Sequence, residues 1–406
     1  MGDSYSYKMK LFVVGCVFIS YYIHVLVAKR KGCSFSVHGQ SDKISPILVK
    51  KNNLIVPNNG KVKLKTRENI TVLCPDSENY LENSPDQSNL MSVQCIQGKF
   101  LRLDNQDLTF DDLRCNRMIR GTVTTTKRKC GNGTGKIYKI GYKLEPRIFI
   151  ELIQVCYNYQ NGASLYTQHF LYGQDIKYAS KSSYRPSFRS EGSAVQHVAV
   201  AYKQKFQKVI LNNLLKSKTL ADKYLNESFY FDRGHLSPDA DFLFASTQYT
   251  SYYYINVSPQ WHVINTRNWK KLEMIIRAFA ETKRKTFKII TGTYGILTLP
   301  DVNGTHVEVY LFGNKLPIPK YFWKIVYEER MQQAIVLINL NNPFVRKLGR
   351  GEYLCENICN KVGWDYASWS DYGRGFVYCC DYNQFADEVK TAPKLSVVEV
   401  LQGPKP

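Results

Sequence analysis

The sequence has no internal repeat and no low-complexity tract, which excludes solenoid arrays and long disordered linkers. Acidic residues are scarce. There are 34 Asp and Glu against 55 Lys and Arg, a formal net charge of +21. That bias does not suit a cationic substrate; it attracts polyanions over long range and makes their binding salt-dependent. Basic clusters at Lys127–Lys129, Lys270-Lys271, Lys283–Lys285 and Arg346-Lys347 are candidate phosphate contacts, although each alone reads as solvated surface. With 406 residues the chain can bury one full core and a second, smaller one.

Only one of the 11 cysteines, Cys16, lies in the uncharged run Leu11–Ala28. Ten follow it: Cys33, Cys74, Cys95, Cys115, Cys130, Cys156, Cys355, Cys359, Cys379 and Cys380. An even set suits five disulfides in an oxidising compartment. Six cysteines precede the motif described below and four follow it, so each group can close on itself. Cys355 and Cys359 have zinc-ligand spacing, but the adjacent pair Cys379-Cys380 cannot comfortably join them on one ion. Two cross-bridges from 355/359 to 379/380 are expected instead, with the pairing open.

Residues 1–28 read as a signal peptide, with a signal anchor as the alternative. A retained leader would make the protein membrane-anchored, facing the lumen or the outside; otherwise it is secreted. Sequons at Asn69, Asn132, Asn226 and Asn303 would serve as glycan sites there. Asn256-Val257-Ser258 is a fifth, expected to stay bare because Pro259 follows it. Residues 29–138 alternate short apolar runs with Asn-Gly, Pro-Asp and Ser-Pro breaks, which predicts a small β-rich, disulfide-stapled module without a catalytic constellation. Thr122–Lys129 reads as a linker or exposed loop. Over 139–390 aromatic and β-branched strands alternate with amphipathic helices such as 195–215 and 269–282, predicting an α+β domain with a mainly antiparallel sheet. Residues 391–406 read as a loosely attached tail.

The chemistry concentrates in 231–273. Phe231-Asp232-Arg233-Gly234-His235 ends a strand-like run, and Tyr252–Val257 predicts a second strand stopping at Pro259. Trp269, Leu272, Ile276 and Phe279 recur at helical spacing, with Asn265 placed to begin that helix. Glu273 lies about 80° from Asn265 around such a helix. A strand histidine and a helix asparagine make a compact metal-and-base site. His235 is a proton acceptor suited to neutral pH, and the Asn265 carboxamide oxygen is a hard ligand suited to magnesium.

These residues form an ordered set: Asp232-Arg233-Gly234-His235, then Asn256-Val257-Ser258-Pro259-Gln260, then Asn265, then Trp269 through Leu272-Glu273. The set resembles the DNA/RNA non-specific endonucleases, ββα-metal enzymes that include a bacterial secreted nuclease and mitochondrial endonuclease G. Thr291-Gly292-Thr293 and Ile318–Lys324 resemble two further family segments. With its leader and cysteine-rich N-terminal region the chain looks most like insect secreted nucleases, including those that degrade double-stranded RNA. The resemblance implies a magnesium-dependent enzyme, with manganese as a substitute, acting on DNA and RNA through backbone contacts, with double-stranded RNA the candidate for preferred substrate.

It assigns His235 as general base, Asn265 as direct metal ligand and Glu273 as a water-mediated metal partner. Arg233 would orient the site or contact phosphate, while Asp232, Asn256 and Gln260 support the pocket. An upstream arginine should stabilise the transition state. Arg185 is the choice and Arg189 the alternative. Ser237 departs from the alanine common in the family. Asp239 and Asp241 look like a metal pair but are read as polar turn and strand-edge residues. A nucleic-acid-binding or uptake protein without turnover is the rival reading; it would call for a broken His/Asn/Glu set, and this set is whole.

Overall fold

The computed structural model describes residues 32–36, 44–76, 78–145 and 148–404. The expected leader lies outside them. Among the described residues no helix is long and apolar enough to cross a membrane. The architecture is α+β and mostly antiparallel.

A nine-stranded sheet forms the body. Eight strands run in spatial order Val377–Cys380, Gln333–Leu340, Pro319–Glu328, Thr286–Ile296, Ala163–Tyr172, Ile148–Asn158, Gly135–Glu145 and Thr122–Cys130, all antiparallel. The central strands are largely apolar because both faces are covered. Phe322, Val326, Ile335 and Leu337 enter one core, while Trp323, Ile325, Val336 and Ile338 enter another on the opposite face. Gly292 is required by this packing: a Cβ there would lie 2.2 Å from the Trp323 ring and 2.4 Å from the Leu165 carbonyl oxygen.

Against the first core packs the helix Lys270–Lys283, through Leu272, Ile276 and Phe279. The expected helix over 195–215 is two helices, Val198–Ala201 and Gln204–Leu215. The tail is docked rather than loose. Glu399–Val400 pairs parallel with Gln333–Ala334, and Trp364 Nε1 donates to the Leu401 carbonyl at 2.9 Å.

The N-terminal module is a six-stranded sheet, Asn53–Leu54, Ile47–Lys50, Asn69–Leu73, Leu90–Gln97, Phe100–Leu103 and Gln106–Thr109, beside the pair Cys33–Ser36 and Lys61–Leu64. Cys33–Cys95 and Cys74–Cys115 staple it. Cys130–Cys156, Cys355–Cys380 and Cys359–Cys379 lie in the body, so the early and late cysteines do close as separate groups.

The seam with the module is intimate. Thr122–Cys130, read as a linker or loop, is the edge strand of the main sheet, and the expected boundary at 138/139 falls inside Gly135–Glu145. Tyr142 and Ile150 of the body are buried in the module's core. Gly60 N–H donates to Asp175 Oδ1 at 2.8 Å across the same seam.

Candidate active site

The strand Phe231–His235 pairs antiparallel with Val257–Trp261, and a helical segment follows directly. The second strand lies later than its aromatic pattern suggested. Tyr254–Asn256 form a 3-10 turn and pairing runs through Pro259, opposite Arg233. Gly234 is glycine because Gln260 fills the space beside it: a Cβ would meet the Gln260 side chain at 2.5 Å.

Alternation along the first strand sorts the motif onto two faces. Arg233 and His235 turn toward aromatic rings. Phe188 lies 5.1 Å and Tyr252 5.0 Å from the His235 ring, by centroids. The Arg233 guanidinium sits over Phe188, Tyr202 and Tyr254 at 5.3–5.8 Å, and its Nε–H donates to the Tyr254 hydroxyl at 3.3 Å. Such cation–π contacts contribute on the order of 0.5–2 kcal/mol each, so this arginine is held in place.

On the other face the Asp232 carboxylate joins two groups. Its Oδ2 lies 2.7 Å from His262 Nδ1 and accepts the Asn265 Nδ2–H at 3.2 Å. With its NH₂ engaged, the Asn265 carboxamide turns its oxygen away from Asp232, and no hydrogen bond among the described residues occupies that oxygen. Asn265 is not an N-cap: it opens a π-helical turn, Asn265–Trp269, already in helical backbone conformation. π-turns are rare and often mark functional sites.

His235 Nε2 is buried without a partner. Burial pushes the imidazole down to about 4; Asp239 opposes that shift and Arg185 adds to it. At neutral pH it is therefore an uncharged base. The Arg185 Nε lies 3.5 Å from Asp239 Oδ2, which also accepts the Tyr252 hydroxyl at 2.8 Å. Of the two upstream arginines, Arg185 is the exposed one whose charge reaches His235. Arg189 instead donates to the Gly121 carbonyl at 3.0 Å and pairs with Glu191.

Glu273 is raised to about 7, by burial first, with Lys324 and Arg277 opposing and Asp241 and Asp239 adding. The charge of Asp239 bears on both His235 and Glu273. Asn256 is fully buried and clamps the turn after His235. Its Nδ2 donates to the Ser237 and Ser251 carbonyls at 2.8 Å, and its Oδ1 accepts Ser237 N–H at 3.0 Å. Gln260 is also fully buried, and neither of its polar atoms has a partner.

Behind this surface lies a buried polar array that motif reading missed. His169 Nε2 is 2.9 Å from Asp241 Oδ2, and Arg277 Nη1 donates to Asp241 Oδ1 at 2.8 Å. Burial opposes ionisation of Asp241, but the His169 hydrogen bond and the charge of Arg277 hold its carboxyl well below the usual range. Burial also disfavours a charged His169. The neutral ring therefore donates from Nε2 and accepts the Ser237 hydroxyl proton at Nδ1, 2.9 Å away, while Ser237 accepts from Thr167 at 2.8 Å.

Thr167, Thr291 and Lys324 are neighbours across three strands, and Lys324 Nζ donates to Thr291 Oγ1 at 2.6 Å. Asp241 is thus an ion partner rather than strand-edge polarity. The signal for Lys324 was present: a cation in the middle of an otherwise apolar run, Tyr321–Tyr327. His169 carried no comparable mark.

The strand pair and the helix after it carry an imidazole, a carboxamide and a half-buried carboxylate in a ββα arrangement. The chain belongs to the DNA/RNA non-specific endonuclease family, whose family model matches residues 133–385. It is 30% identical over 372 residues to a salivary endonuclease of Lutzomyia longipalpis, covering 89% of this chain and 84% of that protein. It is 24% identical over 368 residues to the salivary protein Tsal2A of Glossina morsitans morsitans, covering 89% and 92%. A salivary endonuclease of Culex quinquefasciatus is 24% identical over 343 residues, covering 83% and 82%. Likeness to a crystal structure of the EndoG/EndoGI complex is faint, with a TM-score of 0.37 at 12% identity over 61% of this chain and 87% of that one. The protein is a nuclease acting on nucleic acid.

Proposed function

We propose that this nuclease is secreted, depends on magnesium with manganese as a substitute, and hydrolyses phosphodiester bonds in both DNA and RNA, double-stranded RNA included. The observation that carries the reading is His235: an uncharged imidazole with a free, buried Nε2 beside the exposed guanidinium of Arg185. His235 takes the proton as a water oxygen bonds to phosphorus and the bond to the leaving oxygen breaks. Arg185 stabilises the charge gathering on the phosphoryl oxygens, and Arg233, fixed in its aromatic cage, maintains the strand that presents His235.

The residues present fit a hard cation. Asn265 offers a free oxygen, Glu273 a carboxylate, and Gln260 an orphaned buried amide in register with Asp232. Asn265 would hold magnesium directly and Glu273 through one of its waters. Bound there, the ion supplies Lewis-acid stabilisation of phosphate charge. Five disulfides support an oxidising destination, as do the salivary names of the relatives. Asn69, Asn132, Asn226 and Asn303 are exposed and available as glycan sites, whereas Asn256 is buried.

The test uses purified chain with duplex RNA, duplex DNA and single strands, in magnesium or EDTA. Wild type should cut all of them in magnesium and none in EDTA. His235→Ala should lose at least about 10³-fold in rate while still binding nucleic acid. Retained turnover in that variant, or turnover by the wild type in EDTA, sinks the proposal.

A further inference from the structure

A cleft of about 570 Å³ lies at the seam between the N-terminal module and the body, lined by Arg120, Lys143 and Arg189 together with Asp76, Asn89 and Glu191. We propose that it is a second phosphate-binding site, taking the sugar-phosphate backbone of the same nucleic acid that reaches His235. The identity of the ligand rests on the nuclease reading; the existence of an anion site there does not.

Strand register explains why the cations converge. Thr122 is opposite Gly141 in the antiparallel ladder, and continuing it two residues sets Arg120 beside Lys143. Like charges directly across a strand pair are destabilising. Both side chains are exposed, and no ion pair among the described residues engages either one. Of the two carboxylates at the cleft, Glu191 is already paired with Arg189. Arg120 and Lys143 therefore face only Asp76, and positive charge is left over for an anion.

The cleft also stands close behind the active site. Two extended segments separate them, joined by Arg189 N–H to the Tyr252 carbonyl at 3.0 Å and Tyr254 N–H to the Arg189 carbonyl at 2.9 Å. Their side chains alternate. Phe188 and Tyr252 pack on His235, while Arg189 and Tyr253 pack together, 5.5 Å from guanidinium to ring centroid, on the side of Gly121. One thickness of backbone thus divides the catalytic histidine from the cationic cleft. Phosphates recur roughly every 3.4 Å along one strand of a duplex. A single phosphodiester can reach only one of the two places, whereas a long duplex brings further phosphates for the cleft besides the one at His235. The lining also explains what the module adds: Asp76 and Asn89 belong to it, and the family model begins only at residue 133.

The test is the double variant Arg120→Gln/Lys143→Gln in the full chain, with Lys143→Glu alone as a second variant. In the first arm, binding of 30-base-pair RNA and DNA duplexes is measured in the His235→Ala background with EDTA, across a salt series. Affinity should fall roughly tenfold for both duplexes, and the slope of log K against log[salt] should become shallower by about 2. In the second arm, cleavage of bis(p-nitrophenyl) phosphate by the variants on the wild-type background should match wild type. Unchanged duplex affinity and slope overturn the proposal. So does an equal loss on the small diester, which would mean these residues act through the catalytic centre. A wild type that cleaves nothing defeats the nuclease reading, while the binding arm still decides whether this cleft holds phosphate.

Discussion

The module and the body bury different things. The module's core is aliphatic, aromatic and cystine, with Val72, Val93 and Leu101 fully enclosed, and its buried polar side chains are few and uncharged, such as Ser45, Asn79 and Ser84. The body encloses Lys324, Asp241, His169 and Thr167 in one connected array beneath the catalytic strand pair. Isolated buried charge costs several kcal/mol of desolvation and is retained only when partners offset it. Stability alone does not ask for such an array, since the module does without one. Its place behind His235 and Glu273 fits the role proposed for those residues.

The sharpest way to break that contrast is to damage both regions equally. Lys324→Met removes the buried ammonium that donates to Thr291 Oγ1, leaves that hydroxyl without its donor, and should cost roughly 1–3 kcal/mol. Leu101→Ala in the module should cost about 2–5 kcal/mol through the cavity it leaves. Melting should therefore register both. Cleavage of a small phosphodiester, with its magnesium titration, should change only for Lys324→Met, by about 10²-fold or more in rate. An equal effect of Leu101→Ala would dissolve the distinction.

How far the sequence revealed this divide depends on range. The ordered motif lies within some forty residues and singled out His235, Asn265 and Glu273 as candidates, while hydrophobic spacing marked the helix that carries Glu273. The π-turn at Asn265 has no such mark, because it arises from tertiary packing around Asn268 and Trp269. The array is assembled from strands far apart in the chain, so no local period signals that His169 meets Asp241. Thr122–Cys130 read as a linker because an edge strand can be polar on every residue. The cysteines grouped as expected, but their pairing needed the fold.

A smaller effect is expected from acid. His235 sits at about 4 when folded, against about 6.5 for an ordinary histidine. The unfolded chain therefore takes up the proton first. The stability tied to the neutral ring is complete above about pH 6.5 and is lost as pH falls through about 4. The melting temperature of wild type should drop more steeply over that interval than that of His235→Asn. No comparable histidine lies in the module's described core, so the difference should belong to the body alone. Parallel curves for the two proteins would show that the ring is not held neutral.

The mildest variant tests whether the array acts as a unit. Ser237→Ala restores the residue common in the family but removes the hydroxyl between Thr167 and His169, 2.8 and 2.9 Å away. His169 Nδ1 loses its donor and Thr167 its acceptor, at a cost of about 1–2 kcal/mol. Thr167→Val alone should cost less, because Ser237 still donates to His169. Since the two hydroxyls bond each other, the double variant should cost less than the sum of the singles, by roughly 0.5 kcal/mol or more in a thermodynamic cycle. Strict additivity would mean that the buried hydroxyls are independent fillers and that the array is only a set of neighbours. A shortfall, with the midpoint of the magnesium titration moving alongside the melt, would mean that the strand end and the helix are tuned together.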